Sequence, residues 1–190
     1  MNTNKEGLEL IKEFEGCRLT AYKCPAGVWT IGYGHTSGVV SGMTCSASQA
    51  EQWLNQDLVK CETEVTAWNY RYAWTSNEFS ALVSFCFNCG AGSFRNLIKN
   101  GNRTKKQIAD AILLYNKDIN GRQLAGLVRR RKAEQALFLK ADASEAPEKD
   151  YTTVEDICRG IWTGDFGTPW SKSDKLYKYF LSQINKGVGK

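Results

Sequence analysis

The sequence contains a single histidine and one Cys-x-x-Cys pair with no second such pair, so it is poor in metal ligands. A structural zinc site draws four Cys or His ligands, typically from two paired motifs. Cys86-Phe87-Asn88-Cys89 is therefore not expected to hold a metal, and no cofactor is expected. Long hydrophobic runs are missing too. Nothing approaches the roughly 18 apolar residues of a membrane span, and Met1-Asn2-Thr3-Asn4-Lys5-Glu6 lacks the apolar region of a signal peptide. No stable membrane insertion is expected, and the chain reads as one made and held in the cytoplasm as a soluble protein. Charge of one sign is scarce as well: 25 Lys and Arg against 20 Asp and Glu leave +5, concentrated only at Arg129-Arg130-Arg131. That supports a loose attraction to polyanions, which include bacterial envelopes and nucleic acids. No dedicated nucleic-acid partner is expected.

What the chain does have is 190 residues with 42% apolar composition, enough for one domain with a buried core plus a small appendage. Its cysteines, at 17, 24, 45, 61, 86, 89 and 158, are odd in number, so at least one thiol stays unpaired within a monomer. In the absence of an export signal the default is seven reduced thiols, several serving as small core residues. Cys86 and Cys89 are expected within and at the end of a helix that Gly90 stops.

Four helix starts are marked by a Ser or Thr with Glu or Gln three residues later, a pairing that satisfies free backbone amides at a helix start: Thr3/Glu6, Ser46/Gln49, Thr75/Glu78 and Thr104/Gln107. In the second helix Ala50, Trp53, Leu54, Leu58, Cys61, Val65 and Trp68 recur at helical steps and mark one apolar face. Phe79, Leu82, Val83 and Cys86 do the same in the third. Between the first two helices, Leu19 to Lys23, a turn at Cys24-Pro25-Ala26-Gly27, and Val28 to Tyr33 read as a β-hairpin, with Val39 to Met43 as a third strand. Glycines 32 and 34 suggest a bulge or a close backbone approach, often where a ligand sits.

Helical patterning ends near Lys140. Residues 141–150 have linker composition, which predicts a main domain over residues 1–140. The tail, residues 151–190, carries Val154, Ile157, Ile161, Trp162, Leu176, Tyr179, Phe180 and Ile184 and is too apolar to be a free tail. It is expected to be a short helical extension, either a small binding module or a pair of helices docked on the main domain.

The chemistry centres on Glu15, which follows Leu8, Ile11 and Phe14 at the end of the first helix and faces the hairpin across Gly16. Cleaving a glycosidic bond takes one carboxylic acid to protonate the leaving oxygen and a second group to position or deliver the nucleophile across the sugar. Glu15, Cys24 and Thr30 have the spacing Glu-x8-Cys-x5-Thr, within Phe14-Glu15-Gly16, Ala21-Tyr22 and Gly27-Val28-Trp29-Thr30-Ile31-Gly32-Tyr33-Gly34-His35-Thr36. These segments resemble the catalytic core of phage lysozymes of the T4 and lambdoid endolysin type, glycoside hydrolase family 24, in which Asp or, in a subset, Cys holds the middle position. The likeness continues through residues 81–90 and 126–134 and covers roughly residues 5 to 140.

The resemblance implies an α+β lysozyme fold, with a small β-hairpin lobe and a larger helical lobe around a polysaccharide cleft. It also implies hydrolysis of the β-1,4 bond between N-acetylmuramic acid and N-acetylglucosamine in peptidoglycan. Glu15 would be the general acid, tuned by burial or by an arginine, Arg130 or Arg131. Cys24 would help Thr30 hold the attacking water; its alternatives are a covalent thiolate role and a turn cysteine without function. A thiol of ordinary pKa is mostly neutral near pH 7 and does not replace a carboxylate charge. His35 is expected to face Asp57 in a structural ion pair. A monomer is expected, held in the host cytoplasm until a holin gives access to the wall. Lytic transglycosylase chemistry and a catalytically weak peptidoglycan-binding protein are the competing readings.

Overall fold

The structure is a computed structural model that describes residues 1–141. The expected linker over 141–150 and the extension over 151–190 thus fall outside the described residues, apart from Ala141. The elements run α1 (Lys5–Glu15), β1 (Arg18–Lys23), β2 (Trp29–Gly32), α2 (Ala47–Thr66), α3 (Asn69–Tyr72), α4 (Ser76–Leu97), α5 (Lys105–Ile112) and α6 (Ala125–Leu139). β1 and β2 form an antiparallel pair with Tyr22 opposite Thr30 and Lys23 opposite Trp29, and the register shifts between Arg18 and Tyr22. The helices enclose the hydrophobic core. A hairpin beside a helical body is the α+β arrangement expected.

Two of the four capping boxes close on both sides. Thr75 and Glu78 start α4, and Thr104 and Gln107 start α5, each with both reciprocal hydrogen bonds. Ser46 caps α2 through the Gln49 amide without the return bond. At α1 the cap is Asn4, whose side chain accepts from the Gly7 amide. Thr3 instead donates both its amide and its hydroxyl to Glu62 on α2, each at 2.7 Å. A tertiary carboxylate thus outcompetes the local partner, and the helix starts one residue later than the motif suggests.

α4 is the central helix, packed by α1, α2, α5 and α6. Residues Asn77 to Cys86 are buried around its whole circumference, so the single apolar face expected of it is only part of its buried surface. Phe79, Phe85 and Phe94 are fully buried, each worth about 1.5–3 kcal/mol relative to exposure. Gly90 does not stop the helix. At φ 82°, ψ 161° it breaks the helical path, and the chain then resumes its turns to Leu97. Cys89 therefore sits at a kink inside α4.

α1 crosses α4 at Gly7. A β-carbon there would lie 2.6 Å from Ser80 Cβ, so only glycine permits this approach. The third strand over Val39 to Met43 is absent from the structure. That segment forms turns, with Gly38 and Gly42 at positive φ, and only Thr20 and Thr44 make an isolated bridge to β1. Gly32 is indeed a point of close approach, but the neighbour is α2: a β-carbon would meet Ala50 Cβ at 3.1 Å. Gly34, at φ 101°, belongs to the tight turn closed by mutual 2.9 Å hydrogen bonds between Ile31 and His35.

Candidate active site

Glu15 is the last residue of α1. Gly16 follows at φ 68°, outside helical space, with its amide closing the last turn on Lys12 O, and the chain leaves directly into β1. One carboxylate oxygen, Oε1, accepts from Arg130 Nη1 at 2.7 Å. Oε2 has no hydrogen-bond partner among the described residues. The Glu15 side chain keeps 23% of its surface exposed while that of Arg130 keeps 4%, so the carboxyl group faces outward from a buried cationic support.

Arg130 is itself fixed from two helices. Its Nε contacts Glu134 Oε1 at 3.1 Å and its Nη2 points at the Ser84 carbonyl at 3.4 Å. Ser84 donates its hydroxyl to Glu134 at 2.8 Å. Arg131, fully buried, reaches the same carboxylate, with Nη2 at 3.0 Å from Oε1 and Nε at 2.9 Å from Oε2. The Nε contact is an ion-pair approach without hydrogen-bond alignment. Arg131 also binds Asn88 Oδ1 at 2.9 Å and Cys89 Sγ at 2.7 Å, and its guanidinium lies 4.9 Å from the Phe85 ring centre.

Burial pushes the Glu134 carboxyl up, and the charges of Arg131 and Arg130 and the Ser84 hydrogen bond pull it back. With Glu15 included, two guanidiniums face two carboxyls. That balance permits so much charge in a buried place. Of the two arginines proposed beside Glu15, the structure selects Arg130 and gives Arg131 a supporting place. Neither lies on a solvated face. The Ser84–Glu134 anchor was not foreseen, although Glu134 stands four residues after Arg130 on α6 in the quoted 126–134 motif.

Cys24 opens the turn of the hairpin. Its amide donates to the Val28 carbonyl and its carbonyl accepts from the Gly27 amide, at 3.0 and 2.8 Å. Hydrogen bonds from the backbone at Val28 and Ala26 lower its thiol pKa below the ordinary range; desolvation opposes this, and the Thr30 hydroxyl adds a smaller lowering. Thr30 is buried on β2, and its hydroxyl donates to the Val28 carbonyl at 3.1 Å. With its proton directed there, Oγ1 presents its lone pairs as acceptors; turned instead to the Cys24 sulfur, the same proton gives the smaller lowering of the thiol. The structure thus brings Cys24 and Thr30 together on the hairpin and Glu15 together with Arg130. No hydrogen bond or ion pair among the described residues joins Glu15 to either hairpin residue.

His35 meets Asp57 Oδ2 through Nδ1 at 2.8 Å and the Ser37 carbonyl through Nε2 at 3.0 Å, and stacks on Trp53 at 4.9 Å. Both ring nitrogens are occupied, consistent with the structural ion pair expected. A groove of about 1010 Å³ along α1, lined by Glu6, Glu9, Glu13 and Glu51 among others, contains none of Glu15, Cys24 or Thr30. Among the described residues no cluster of three or more His, Cys, Asp or Glu side chains is arranged to hold a metal ion.

A hairpin-and-helix frame with an arginine-held glutamate at the end of its first helix defines a lysozyme-like glycoside hydrolase. The phage lysozyme family model matches residues 12–134. An endolysin of Acyrthosiphon pisum secondary endosymbiont phage 1 is 38% identical over 147 residues, covering 74% of this chain and 100% of its own. The endolysin of Lactococcus phage c2 is also 38% identical, over 156 residues that make up 80% of this chain and 66% of that relative. Among solved structures, the muramidase domain of SpmX from Asticaccaulis excentricus superimposes with a TM-score of 0.66 at 37% identity, covering 74% of this chain and 99% of that one. The chain belongs to the phage lysozyme family and is a lysozyme-type glycoside hydrolase.

Proposed function

We propose that the chain is an endolysin muramidase in which Glu15 is the general acid and Cys24 and Thr30 position the attacking water. The observation that carries this reading is the Glu15–Arg130 contact at 2.7 Å, which leaves the second carboxyl oxygen unengaged among the described residues. In the reaction, Glu15 gives its proton to the glycosidic oxygen as the bond from C1 of N-acetylmuramic acid breaks, and water attacks C1 from the opposite face. The carboxylate left on Glu15 is compensated by Arg130. Thr30 Oγ1 accepts one hydrogen bond from the water. The thiolate form of Cys24, favoured by the backbone hydrogen bonds around it, takes up the proton that the water releases and becomes the neutral thiol. Water attack without a covalent intermediate inverts the anomeric centre.

Clearing of permeabilised cells by wild type, Glu15→Gln, Cys24→Ser and Cys24→Asp tests the assignment. Glu15→Gln is expected to lose activity by a factor of about a hundred or more, within the range of general-acid contributions. Full activity would sink the reading, and unchanged activity in Cys24→Ser would remove the thiol from it. Anhydro-muropeptides in digests would identify a lytic transglycosylase instead. Residues 1–140 are assigned as the catalytic domain, residues 141–150 as a linker, and residues 151–190 as a wall-binding or docking extension; truncation at residue 140 followed by peptidoglycan pull-down tests the last. The route to the wall is assigned to a phage holin by kinship with the family. Lysis on expression without any holin would overturn it.

A further inference from the structure

Six thiols lie among the described residues and all are free. Two of them face each other where α2 packs against α4. Cys61 stands three residues after Leu58 and four before Val65, on the face of α2 that buries Leu54, Leu58 and Val65, and it packs against the core. Cys86 stands four residues after Leu82 on α4 and is 1% exposed. The Cys86 thiol donates a hydrogen bond to the Cys61 sulfur. That bond holds the Cys61 thiol below its ordinary range, against the opposing effect of burial, and together with burial it pushes Cys86 up. Cys61 is only half-buried, so it is the member of the pair that solvent reaches. The neighbouring thiol of Cys89 is engaged elsewhere, with Arg131 Nη1 at 2.7 Å from its sulfur.

From this opposition we infer that Cys61 and Cys86 oxidise to a disulfide that pins α2 to α4 when the enzyme reaches the oxidising side of the bacterial envelope. Only the compartment comes from the endolysin reading: peptidoglycan lies outside the inner membrane, where disulfides form and persist, whereas cytosolic thiols stay reduced. The oxidant is itself a disulfide, small like oxidised glutathione or carried by a thiol oxidant protein. The Cys61 thiolate attacks one of its sulfurs and releases one thiol, leaving a mixed disulfide at the accessible position. The Cys86 sulfur, its proton passed to the departing thiolate, then attacks Cys61 Sγ and expels the second thiol. Two S–H bonds become one S–S bond, and the two electrons reduce the oxidant to two thiols. The order follows from the asymmetry of the pair, since thiolate character belongs to the exposed sulfur and the resolving sulfur is buried beside it. The cross-link closes a loop of about 25 residues that runs through α3, long enough to restrict the unfolded chain appreciably. Ser84, which donates to Glu134 beneath Arg130, lies two residues before Cys86, so the staple holds the stretch of α4 that supports Glu15.

The test equilibrates the full wild-type chain in a glutathione buffer poised at about −200 mV, alkylates the remaining thiols and maps cross-linked peptides by mass. A Cys61–Cys86 link is expected, with a Tm roughly 5–15 °C above that of the same protein under dithiothreitol. Cys61→Ser and Cys86→Ala are each compared with themselves, oxidised against reduced, and neither should show that rise whatever its own stability. Cys86→Ala should arrest the exchange as a glutathione adduct on Cys61, and its absence would overturn the exchange as written. Finding both Cys61 and Cys86 still alkylated on unfolding would overturn the proposal. A Cys86–Cys89 link, a Tm that falls on oxidation, or a rise retained in Cys61→Ser would do the same. None of these readouts involves Glu15, Cys24 or Thr30, so the staple and the catalytic assignment fail separately.

Discussion

Replacing Glu134 by Gln removes one charge and almost no volume from the point where Ser84, Arg130 and Arg131 converge. In the native protein a fully buried carboxyl faces two guanidiniums within 3.1 Å, and the side chains of both arginines are at most 4% exposed. With Gln in place, Arg131 retains only uncharged acceptors, the new amide oxygen, Asn88 and the Cys89 sulfur, while Arg130 retains the Glu15 carboxylate and the Ser84 carbonyl. Removing one partner from a buried ion pair typically costs about 3–5 kcal/mol, because the remaining charge is left uncompensated. For a domain of this size that is a fall in Tm of roughly 10–20 °C, at about 4 °C per kcal/mol. Thermal unfolding followed by circular dichroism, with urea titrations at constant m, reads the loss directly. Activity should fall as well, since Arg130 loses the anchor that holds it beneath Glu15. A loss below about 1 kcal/mol would refute the reasoning, showing that burial outweighs the two arginines and that the carboxyl is already protonated in the folded chain. Arg131→Leu should then cost less in a Glu134→Leu background than in wild type if the pair is coupled as described.

Gly7→Ala should destabilise the protein by about 1–3 kcal/mol, because the new methyl group meets Ser80 Cβ, a rigid atom of α4, and this exceeds the gain in helix propensity; an equal or higher Tm would contradict the close crossing. Arg95, bound to Glu64 at 2.8 and 2.6 Å, lowers the Glu64 pKa. A depressed folded-state carboxyl pKa stabilises above the unfolded value of about 4.3 and ceases to do so as pH falls through the folded value. The Tm difference between wild type and Glu64→Gln should therefore shrink on acidification below that value, and a difference that grows would reverse the sign. The backbone hydrogen bonds at Cys24 predict that iodoacetamide modifies this thiol, mapped by peptide mass, at lower pH than in an unfolded control peptide. Coincident pH profiles would show that the turn does not activate it.

The sequence by itself determined what is local. Helix starts at Ser46, Thr75 and Thr104 were legible because capping uses side chains within three residues of the amides they satisfy. The hairpin was legible because Cys24-Pro25-Ala26-Gly27 can turn and β-branched residues flank it. Glu15 was legible as the residue that ends the first helix and leads into the hairpin, whereas Cys24 and Thr30 were singled out through the family resemblance of their spacing. The pairing of His35 with Asp57 crosses 22 residues and was readable only through the family resemblance.

Tertiary structure decided the rest, wherever a distant group competed with a local one. Glu62 drew Thr3 out of its cap, so Asn4 begins α1. Residues 39–43 stayed in turns despite their apolar character, touching β1 through the Ala21 amide on the Met43 carbonyl, beside the Thr20–Thr44 bridge. Gly90 kinks α4 where a local rule would end it, since the segment to Leu97 regains burial beyond the break. The choice of Arg130 over Arg131 could not be read along the chain at all. Two adjacent arginines point some 100° apart around a helix, and only the packing of α6 against α4 and α1 determines which of them reaches Glu15.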